Sequence, residues 1–371
     1  MTPISIYIHW PFCVKKCPYC DFNSFVQEKI DHKRWSNAYL KAIDHYATFL
    51  GTREIQSIFF GGGTPSLATP SMIKSIIDHL RSITTFSDNI EITLEANPTS
   101  VEAIKFGQFK DAGINRISLG IQSLRDNNLK FLGRNHSANE AITAIEVLQS
   151  SFDNYSLDFI YALPHQTINE WEQELNEAIS LASNHLSLYQ LTIENGTKFG
   201  AMAQAGLLNE IDEGVAAEMF ELTNHITTKN GFTRYEVSNH AKSGFESLHN
   251  MNYWEYGDYI GIGPGAHGRY RGIEGKIMTI DIKQPELWMQ SLFEQGNGIK
   301  VLDKLSPEEM RIERIMMGIR TKYGISLELI VNKDNIITEL INDKLIQLID
   351  NKLIVTDTGL IILNSVTAHL I

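Results

Sequence analysis

Three cysteines lie within eight residues near the start of the sequence, at Cys13, Cys17 and Cys20, and the chain has no others. A disulfide framework would use an even number of cysteines spread along the chain, so the C-x3-C-x2-C spacing indicates a metal site. Three thiolates on one loop can hold three irons of a [4Fe–4S] cubane and leave the fourth iron open to a small chelating molecule. The alternative is a structural zinc ion, which needs a fourth ligand, and His9 is a candidate for it.

Further residues that could bind a ligand follow the predicted strands. The loop Gly61-Gly62-Gly63-Thr64-Pro65 comes after the second strand, and glycines let the backbone approach a ligand with free N–H groups. A tight strand-to-helix turn would explain the same glycines.

Two carboxylates lie in or at the end of later strands. Glu95 ends the third strand, where it could accept a hydrogen bond from a ribose hydroxyl or an amine, or simply face solvent. Asp158 lies within an apolar strand, and a buried carboxylate costs several kcal/mol of desolvation unless it is paired. We expect a ligand hydroxyl or Arg134 to be its partner.

The elements that position these residues alternate between short strands and longer helices. In one helix Ile73, Ile76, Ile77 and Leu80 share a face. The strands are predicted at 5–9, 56–60, 90–95, 115–119, 156–161 and 186–191. Six strand–helix units predict a parallel sheet but are too few for a closed eight-fold barrel. We therefore expect an α/β fold, an open partial (β/α)6 barrel with its chemistry beyond the carboxyl ends of the strands.

The last 70 residues have a different pattern. Pro307 marks a helix start, 312–319 and 336–349 are apolar at helical spacing, and 353–355 and 360–362 are predicted to pair through a turn at Thr358-Gly359. This order indicates a winged-helix-like appendage. The resulting domain division is a core over 1–238, a connecting segment over 239–300 and a C-terminal domain over 301–371.

Composition excludes several classes of partner. Lys and Arg total 32 against 44 Asp and Glu, which gives a net charge of −12. A chain this acidic lacks the broad basic surface of a nucleic-acid-binding protein, and no apolar run is long enough to span a membrane. The first residues do not have the pattern of a signal peptide, so we expect a cytoplasmic protein.

Taken together, the cysteine triad and the motifs that follow it resemble the radical S-adenosylmethionine (SAM) superfamily. In that superfamily the triad holds a [4Fe–4S] cluster and SAM chelates the open iron. The resemblance implies that Cys13, Cys17 and Cys20 are the metal ligands. It also implies a set of SAM-binding positions, of which Tyr7 and Tyr19 would equally suit core aromatics: Tyr7, Tyr19, Gly62, Gly63, Thr64, Glu95, Gln122, Arg134 and Asp158.

Residues 6–13, IYIHWPFC, resemble a narrower family that holds the oxygen-independent coproporphyrinogen III oxidases and their homologues, the heme chaperones. The oxidases carry a fourth cysteine two residues after the third, where this chain has Phe22, and they begin with an extra segment before the first strand that this sequence does not show. The motif H-N-x-x-Y-W, which starts at His249, is similar to the heme-associated motif of the chaperones. All three features favour the chaperones.

A neutral imidazole is a common axial ligand of heme iron, which makes His249 the candidate heme ligand. Tyr253, Trp254, Tyr256 and Tyr259 add aromatic faces suited to a porphyrin. The alternative is a histidine packed in an aromatic core, and in that case His267, after a glycine-rich turn, is the second candidate.

We therefore expect a heme chaperone that carries a [4Fe–4S] cluster, SAM and heme, and that passes heme to an unidentified acceptor protein, for which membrane-associated proteins are candidates. No catalytic residue is assigned, and coproporphyrinogen oxidase activity is not expected. The alternative is an oxygen-independent coproporphyrinogen III oxidase that uses a 5′-deoxyadenosyl radical. A zinc-stabilised binding module without a cluster is a third interpretation.

Overall fold

The computed structural model describes residues 2–371. Its strands are β1 Thr2–Trp10, β2 Phe12–Cys13, β3 Phe25–Val26, β4 Arg53–Gly62, β5 Thr85–Ala96, β6 Arg116–Gln122, β7 Tyr155–Tyr161, β8 His185–Gln190, β9 Thr233–Arg234, β10 Asn239–Ala241, β11 Tyr259–Ile262, β12 His267–Gly272, β13 Gly275–Asp281, β14 Ile299–Lys304, β15 Ile325–Ser326, β16 Ile346–Ile349 and β17 Lys352–Val355.

The helices are α1 His32–His45, α2 Ala47–Leu50, α3 Pro70–Ile83, α4 Ser100–Ala103, α5 Phe106–Asp111, α6 Asp126–Phe131, α7 Ala138–Ser151, α8 Ile168–Leu181, α9 Lys198–Gln204, α10 Glu213–Lys229, α11 Leu248–Trp254, α12 Pro285–Gln295, α13 Pro307–Gly318, α14 Asp334–Asn342, α15 Asp357–Ile361 and α16 Leu363–Leu370. Single 3₁₀ turns occur at Pro65–Leu67 and Leu327–Leu329. None of the helices within residues 2–371 is long and apolar enough to cross a membrane.

One large sheet forms the centre of the molecule, in the order β14-β13-β12-β11-β1-β4-β5-β6-β7-β8-β10-β9. The strands from β11 to β8 in this order are all parallel, and antiparallel strands extend the sheet at both edges. The two edge strands, β14 and β9, do not pair with each other, so the sheet stays open. This confirms the predicted α/β fold with an open partial barrel, and each of the six predicted strands lies within or overlaps one of β1 and β4–β8.

The helices between the parallel strands bury one apolar face each. In α3 this face consists of the predicted Ile73, Ile76, Ile77 and Leu80, and the side chain of Thr69 caps the helix start. The strands from 239–300 are hydrogen-bonded into the same sheet as those of 1–238. The division of the chain at these positions stays a prediction.

Residues 307–371, here called the C-terminal module, have their own apolar core and a three-stranded sheet, β15-β17-β16. Helices α13, α14 and α16 pack around it, which matches the predicted winged-helix-like appendage. Two local predictions were wrong. The helix predicted at 336–349 ends at Asn342 and is followed by β16, and 360–362 is not a strand because α15 begins after Thr356.

The hairpin instead joins β16 to β17 through Asp350 and Asn351, which have φ of 49° and 61°. Two consecutive left-handed residues form the turn that fits the twist of a hairpin, and Asp and Asn tolerate this conformation without glycine. The side chain of Thr356 accepts a hydrogen bond from the N–H of Gly359, 3.1 Å away. Thr358-Gly359 therefore lies in a helix start rather than in a turn between strands.

Candidate functional site

A cavity of about 650 Å³, here called the first cavity, lies at the carboxyl ends of the parallel strands. Parallel strands present these ends at one edge of the sheet, so residues far apart in sequence meet there. All predicted cluster and SAM residues except Tyr7 line this cavity: Cys13, Cys17, Tyr19, Cys20, Gly62, Gly63, Thr64, Glu95, Gln122, Arg134 and Asp158.

The three cysteines lie on the loop 13–24, here called the cysteine loop, whose ends are joined by the short parallel pair β2 and β3. Within the loop the N–H of Cys20 donates to the carbonyl oxygen of Cys17 at 3.2 Å. Burial raises the pKa of the Cys13 and Cys20 thiols. A metal that binds them must displace their protons, so metal binding here would release protons.

A close backbone approach shapes the wall next to Cys13. A Cβ atom on Gly63 would lie 2.6 Å from the carbonyl oxygen of Phe12 and 3.0 Å from Sγ of Cys13. Only glycine leaves room at this position, and three thiols that face one cavity are the donor set of a site-open iron–sulfur cluster. The residues present therefore fit such a cluster.

No three His, Cys, Asp or Glu side chains in the described part of the chain come close enough to ligate one metal ion. His9, the candidate fourth zinc ligand, has both ring nitrogens engaged. Its Nε2 lies 2.9 Å from the carbonyl oxygen of Asn23, and its Nδ1 lies 3.0 Å from the hydroxyl of Tyr7.

Two carboxylates face the first cavity from neighbouring parts of the sheet. The N–H of Gly62, which has a φ of +112°, donates to Oε2 of Glu95 at 3.1 Å. Burial, together with the nearby charge of Asp158, raises the pKa of Glu95 to about 8. A cationic or hydroxyl-bearing ligand would relieve this unfavourable burial of negative charge.

Asp158 has partners that the sequence did not indicate. It accepts hydrogen bonds from the hydroxyls of Ser118 at 2.6 Å and Ser156 at 2.7 Å. Burial raises the pKa of Asp158, and these hydroxyls oppose the shift. Of the two partners expected for Asp158, Arg134 is bonded elsewhere, and a ligand hydroxyl stays a prediction.

Arg134 connects the cysteine loop to the sheet. Its Nη1 lies 3.6 Å from Sγ of Cys17, and its Nη2 donates to Oδ1 of Asn97 at 2.5 Å and to the carbonyl oxygen of Gly120 at 3.0 Å. Asn97 was not among the predicted site residues, although it lies two positions after Glu95. Its place just beyond the strand end was the feature that could have identified it.

A second cavity of about 670 Å³ adjoins the first. Lys16, Asp21, Phe22, Gly62 and Glu95 line both cavities. The remaining walls come from the cysteine loop and β3, from β1, α11 and β11, from the turn before β12 and the segment after β13, and from the C-terminal module. They carry the predicted residue Tyr7 and the second heme candidate His267. They also carry His9, the candidate fourth zinc ligand, and two side chains that sequence reasoning missed, Lys283 and Met317.

His249 lines neither cavity. It is 1 % exposed, its Nδ1 lies 2.9 Å from the hydroxyl of Ser57, and its Nε2 lies 2.8 Å from the hydroxyl of Tyr253. Its ring stacks on Phe59 with 5.0 Å between centroids. Burial, and to a lesser extent the charge of Arg116, lowers the pKa of His249 to about 3.

The helix that carries this motif, α11, is held by a buried carboxylate from the sheet. Glu91 of β5 accepts hydrogen bonds from the side chain of Ser247 and from the N–H groups of Leu248 and His249, each 3.1 Å away. These are donors that a helix start leaves without intrahelical partners. Nε of Arg116 lies 3.8 Å from the same carboxylate.

Comparison with known proteins places this arrangement in a family. Residues 7–178 match the model of the radical SAM superfamily. The chain is 38 % identical over 330 residues to the mitochondrial radical S-adenosyl methionine domain-containing protein 1 of Mus musculus, which covers 88 % of this chain and 75 % of that protein. It is 39 % identical over 308 residues to the heme chaperone HemW of Escherichia coli strain K12, with 82 % and 80 % covered.

Among solved structures, coproporphyrinogen III oxidase (HemN) from Escherichia coli, described as a radical SAM enzyme, superposes with a TM-score of 0.84. The two chains are 19 % identical, and the match covers 100 % of this chain and 90 % of that one, so the two proteins share their fold. HemW of Haemophilus influenzae is 41 % identical over 81 % of this chain and 80 % of its own. By this identity over most of both chains, the protein belongs to the radical SAM superfamily, in the family of the HemW heme chaperones.

Proposed function

We propose that this protein is a heme chaperone that carries a [4Fe–4S] cluster and SAM and transfers heme to an acceptor protein in the cytoplasm or at a membrane. The observation that carries the proposal is the pair of adjoining cavities. One is lined by the three cysteines, and the other by tyrosines, two histidines and two lysines. The names of the HemW relatives support the same function.

In the first cavity Cys13, Cys17 and Cys20 would bind the cluster. A cluster held there would supply, once reduced by an external one-electron donor, the capacity for reductive cleavage of bound SAM. The chain's own residues bind and orient SAM. The backbone at Gly62 and Gly63 allows close approach, and Glu95 offers a carboxylate to a hydroxyl or an amine.

We further propose that the chain does not oxidise coproporphyrinogen III. Phe22 occupies the position at which the related oxidases have a fourth cysteine, and its side chain is 55 % exposed. It lines both cavities, so an aromatic ring stands between the two proposed ligands. An apolar ring there can contact a porphyrin but cannot ligate iron.

Anaerobic reconstitution followed by titration with heme tests this function. The reconstituted protein should hold about four irons and four sulfides per chain and should bind heme saturably, with a Soret band. Cys17→Ala should lose the cluster, whereas Val14→Ala should keep it, because Val14 lies in the same loop, is 64 % exposed and carries no thiol.

Two results would contradict the proposal. Tight binding of one zinc ion per chain, without iron–sulfur absorbance, would show that the three cysteines do not hold a cluster. Multiple-turnover formation of protoporphyrinogen IX from coproporphyrinogen III, with SAM and a reductant present, would make the protein an oxidase.

A further inference from the structure

His267 is an imidazole that the proposed cluster and SAM site does not use. It begins β12, it is exposed, and it lines the second cavity. The turn before it contains Gly263 with a φ of +125° and Gly265 with a φ of +78°, conformations that other residues rarely adopt. A Cβ on Gly265 would lie 2.6 Å from Nδ2 of Asn23, so glycine is needed to bring this turn against the cysteine loop.

Asn23 fixes the position of that turn. Its Nδ2 donates to the carbonyl oxygen of Pro264 at 2.8 Å and to that of Lys283 at 2.9 Å. One side chain of the cysteine loop therefore holds two of the segments that surround the second cavity. His267 and Lys283 reach this cavity from a framework built into the same loop that carries the three thiols.

The composition of the second cavity suits a flat aromatic dianion. Its volume of about 670 Å³ lies within the usual range of small-molecule sites. Tyr253 and Tyr259 meet edge to face in its wall, with 4.5 Å between ring centroids and an interplanar angle of 81°, and Phe22 adds an exposed ring. Lys16 and Lys283 supply positive charge at the same cavity.

The charge of the cavity is not purely positive. Asp21 and Glu95 also line it, but burial raises the pKa of Glu95 to about 8, so this carboxyl group is mostly neutral at pH 7. Met317 reaches the cavity from the C-terminal module. Imidazole and thioether are both established axial ligands of heme iron, whereas the propionates of heme match lysine side chains.

The two candidate histidines differ in whether a lone pair is free to reach iron. Both ring nitrogens of His249 are within hydrogen-bonding distance of buried hydroxyls, and the ring is stacked in the core. To bind iron in either cavity, His249 would have to leave the core, lose its stacking on Phe59 and give up the hydrogen bond of the nitrogen that binds the metal. His267 needs no such rearrangement.

We propose that heme binds in the second cavity with its iron on the imidazole of His267 and its propionates beside Lys16 and Lys283. This inference rests on the proposed function, since it assumes that the chain binds heme. It assigns the iron to a different residue from His249 of the H-N-x-x-Y-W motif. Because Gly62 and Glu95 belong to both cavities, heme would lie next to the proposed SAM site.

Titration of the full chain with hemin, followed by absorbance spectroscopy, tests the assignment. His267→Ala should lower the affinity by at least about tenfold and change the spin state of the iron, because an axial ligand is lost. In His267→Gly, added imidazole should restore the wild-type spectrum. His369→Ala removes an exposed histidine of α16 and should change neither. His249→Gln, checked for folding by circular dichroism, should keep the wild-type spectrum.

The outcomes separate the inference from the function it rests on. If the wild-type chain shows no saturable Soret band, the proposed function fails. If the wild-type chain binds hemin and His267→Ala does so with unchanged affinity and spectrum, the function stands and the assignment to His267 is wrong. If a folded His249→Gln variant loses the wild-type spectrum, His249 and not His267 is the iron ligand.

Discussion

At the scale of single residues, Glu95 is placed to bind a ligand, but its burial lowers the stability of the ligand-free protein. The carboxyl group lies in the wall shared by both cavities and receives the N–H of Gly62 at 3.1 Å. Its pKa is raised from 4.5 to about 8, chiefly by burial and then by Asp158. Between pH 4.5 and about 8, Glu95 is therefore protonated in the folded, ligand-free protein but ionised in the unfolded chain.

We expect Glu95→Gln to stabilise the ligand-free protein, and to do so more strongly at high pH. Below pH 4.5 both states hold the proton and the substitution changes little. Between pH 4.5 and about 8 the unfolded chain ionises first, so the folded wild type loses stability as the pH rises. At pH 8.5 the variant should gain about 4 kcal/mol in free energy of unfolding relative to its effect at pH 4.5.

Urea unfolding of the ligand-free protein at both pH values measures this difference. Glu28→Gln is the matched control, since Glu28 is exposed and lines neither cavity. Glu95→Gln should also weaken SAM binding, because a bound cation favours the ionised form of the carboxyl group, which glutamine cannot adopt. A gain that does not depend on pH would show that the pKa of Glu95 is not raised.

Sequence spacing predicted the residues of the first cavity better than it predicted their partners. The cysteines were identified from their C-x3-C-x2-C spacing, whereas Gly63 and Glu95 follow predicted strand ends, and the ends of parallel strands converge at one edge of the sheet. The partners of Asp158 depend on register, since Ser118 comes from the neighbouring strand β6. Nothing in the local sequence of His249 indicates that Ser57 and Phe59 of β4 enclose it.

At the scale of elements, α11 depends on a carboxylate that belongs to another strand. Glu91 is 6 % exposed and accepts hydrogen bonds from Ser247, Leu248 and His249 at the helix start. A buried charge that satisfies several donors is costly to remove, because the donors are left unpaired.

We expect Glu91→Gln to lower the free energy of unfolding by about 2–3 kcal/mol. Glu309→Gln provides the comparison, since Glu309 belongs to the capping box of α13 and is exposed, and it should have a clearly smaller effect. Chemical denaturation of both variants measures the difference. Equal effects would mean that Glu91 contributes no more than a surface cap.

Elements defined by a run of buried apolar residues were predicted well, whereas an element defined by its turn residues was not. The parallel strands are buried runs of β-branched and aromatic residues, and the sequence predicts them within a few residues. The hairpin of the C-terminal module was misplaced because its turn, Asp350-Asn351, contains no glycine, whereas the Gly359 that suggested a turn lies in a helix. Asp and Asn occur both in left-handed turns and at the exposed ends of helices. A turn made of these two residues is therefore hard to distinguish from a helix end in the sequence.

At the scale of the whole molecule, α13 joins two separately packed cores. Ile315 lies in the core of the C-terminal module, whereas Met317 reaches the second cavity. Glu313, on the same helix, accepts hydrogen bonds from the hydroxyl of Tyr256 at 2.7 Å and from Nε of Arg269 at 3.0 Å. The module thus closes one wall of the proposed heme site through a single helix.

This arrangement predicts that the hold of Glu313 on the sheet controls how long heme stays bound. Its ion pair with Arg269 is largely shielded, with side-chain exposures of 27 % and 15 %. We expect Glu313→Gln to cost about 1 kcal/mol and to speed heme dissociation about fivefold, because the wall that carries Met317 is held less firmly.

Heme dissociation, followed by transfer to an excess of an apo heme protein, measures that rate. Glu308→Gln is the matched control. Glu308 lies on the same helix and is 63 % exposed, and its ion pair is with Arg311 of that helix and not with a residue of the large sheet. It should leave the rate unchanged. If both variants release heme at the wild-type rate, the module does not close the site. If both speed release equally, the effect belongs to the helix as a whole and not to its contact with Arg269.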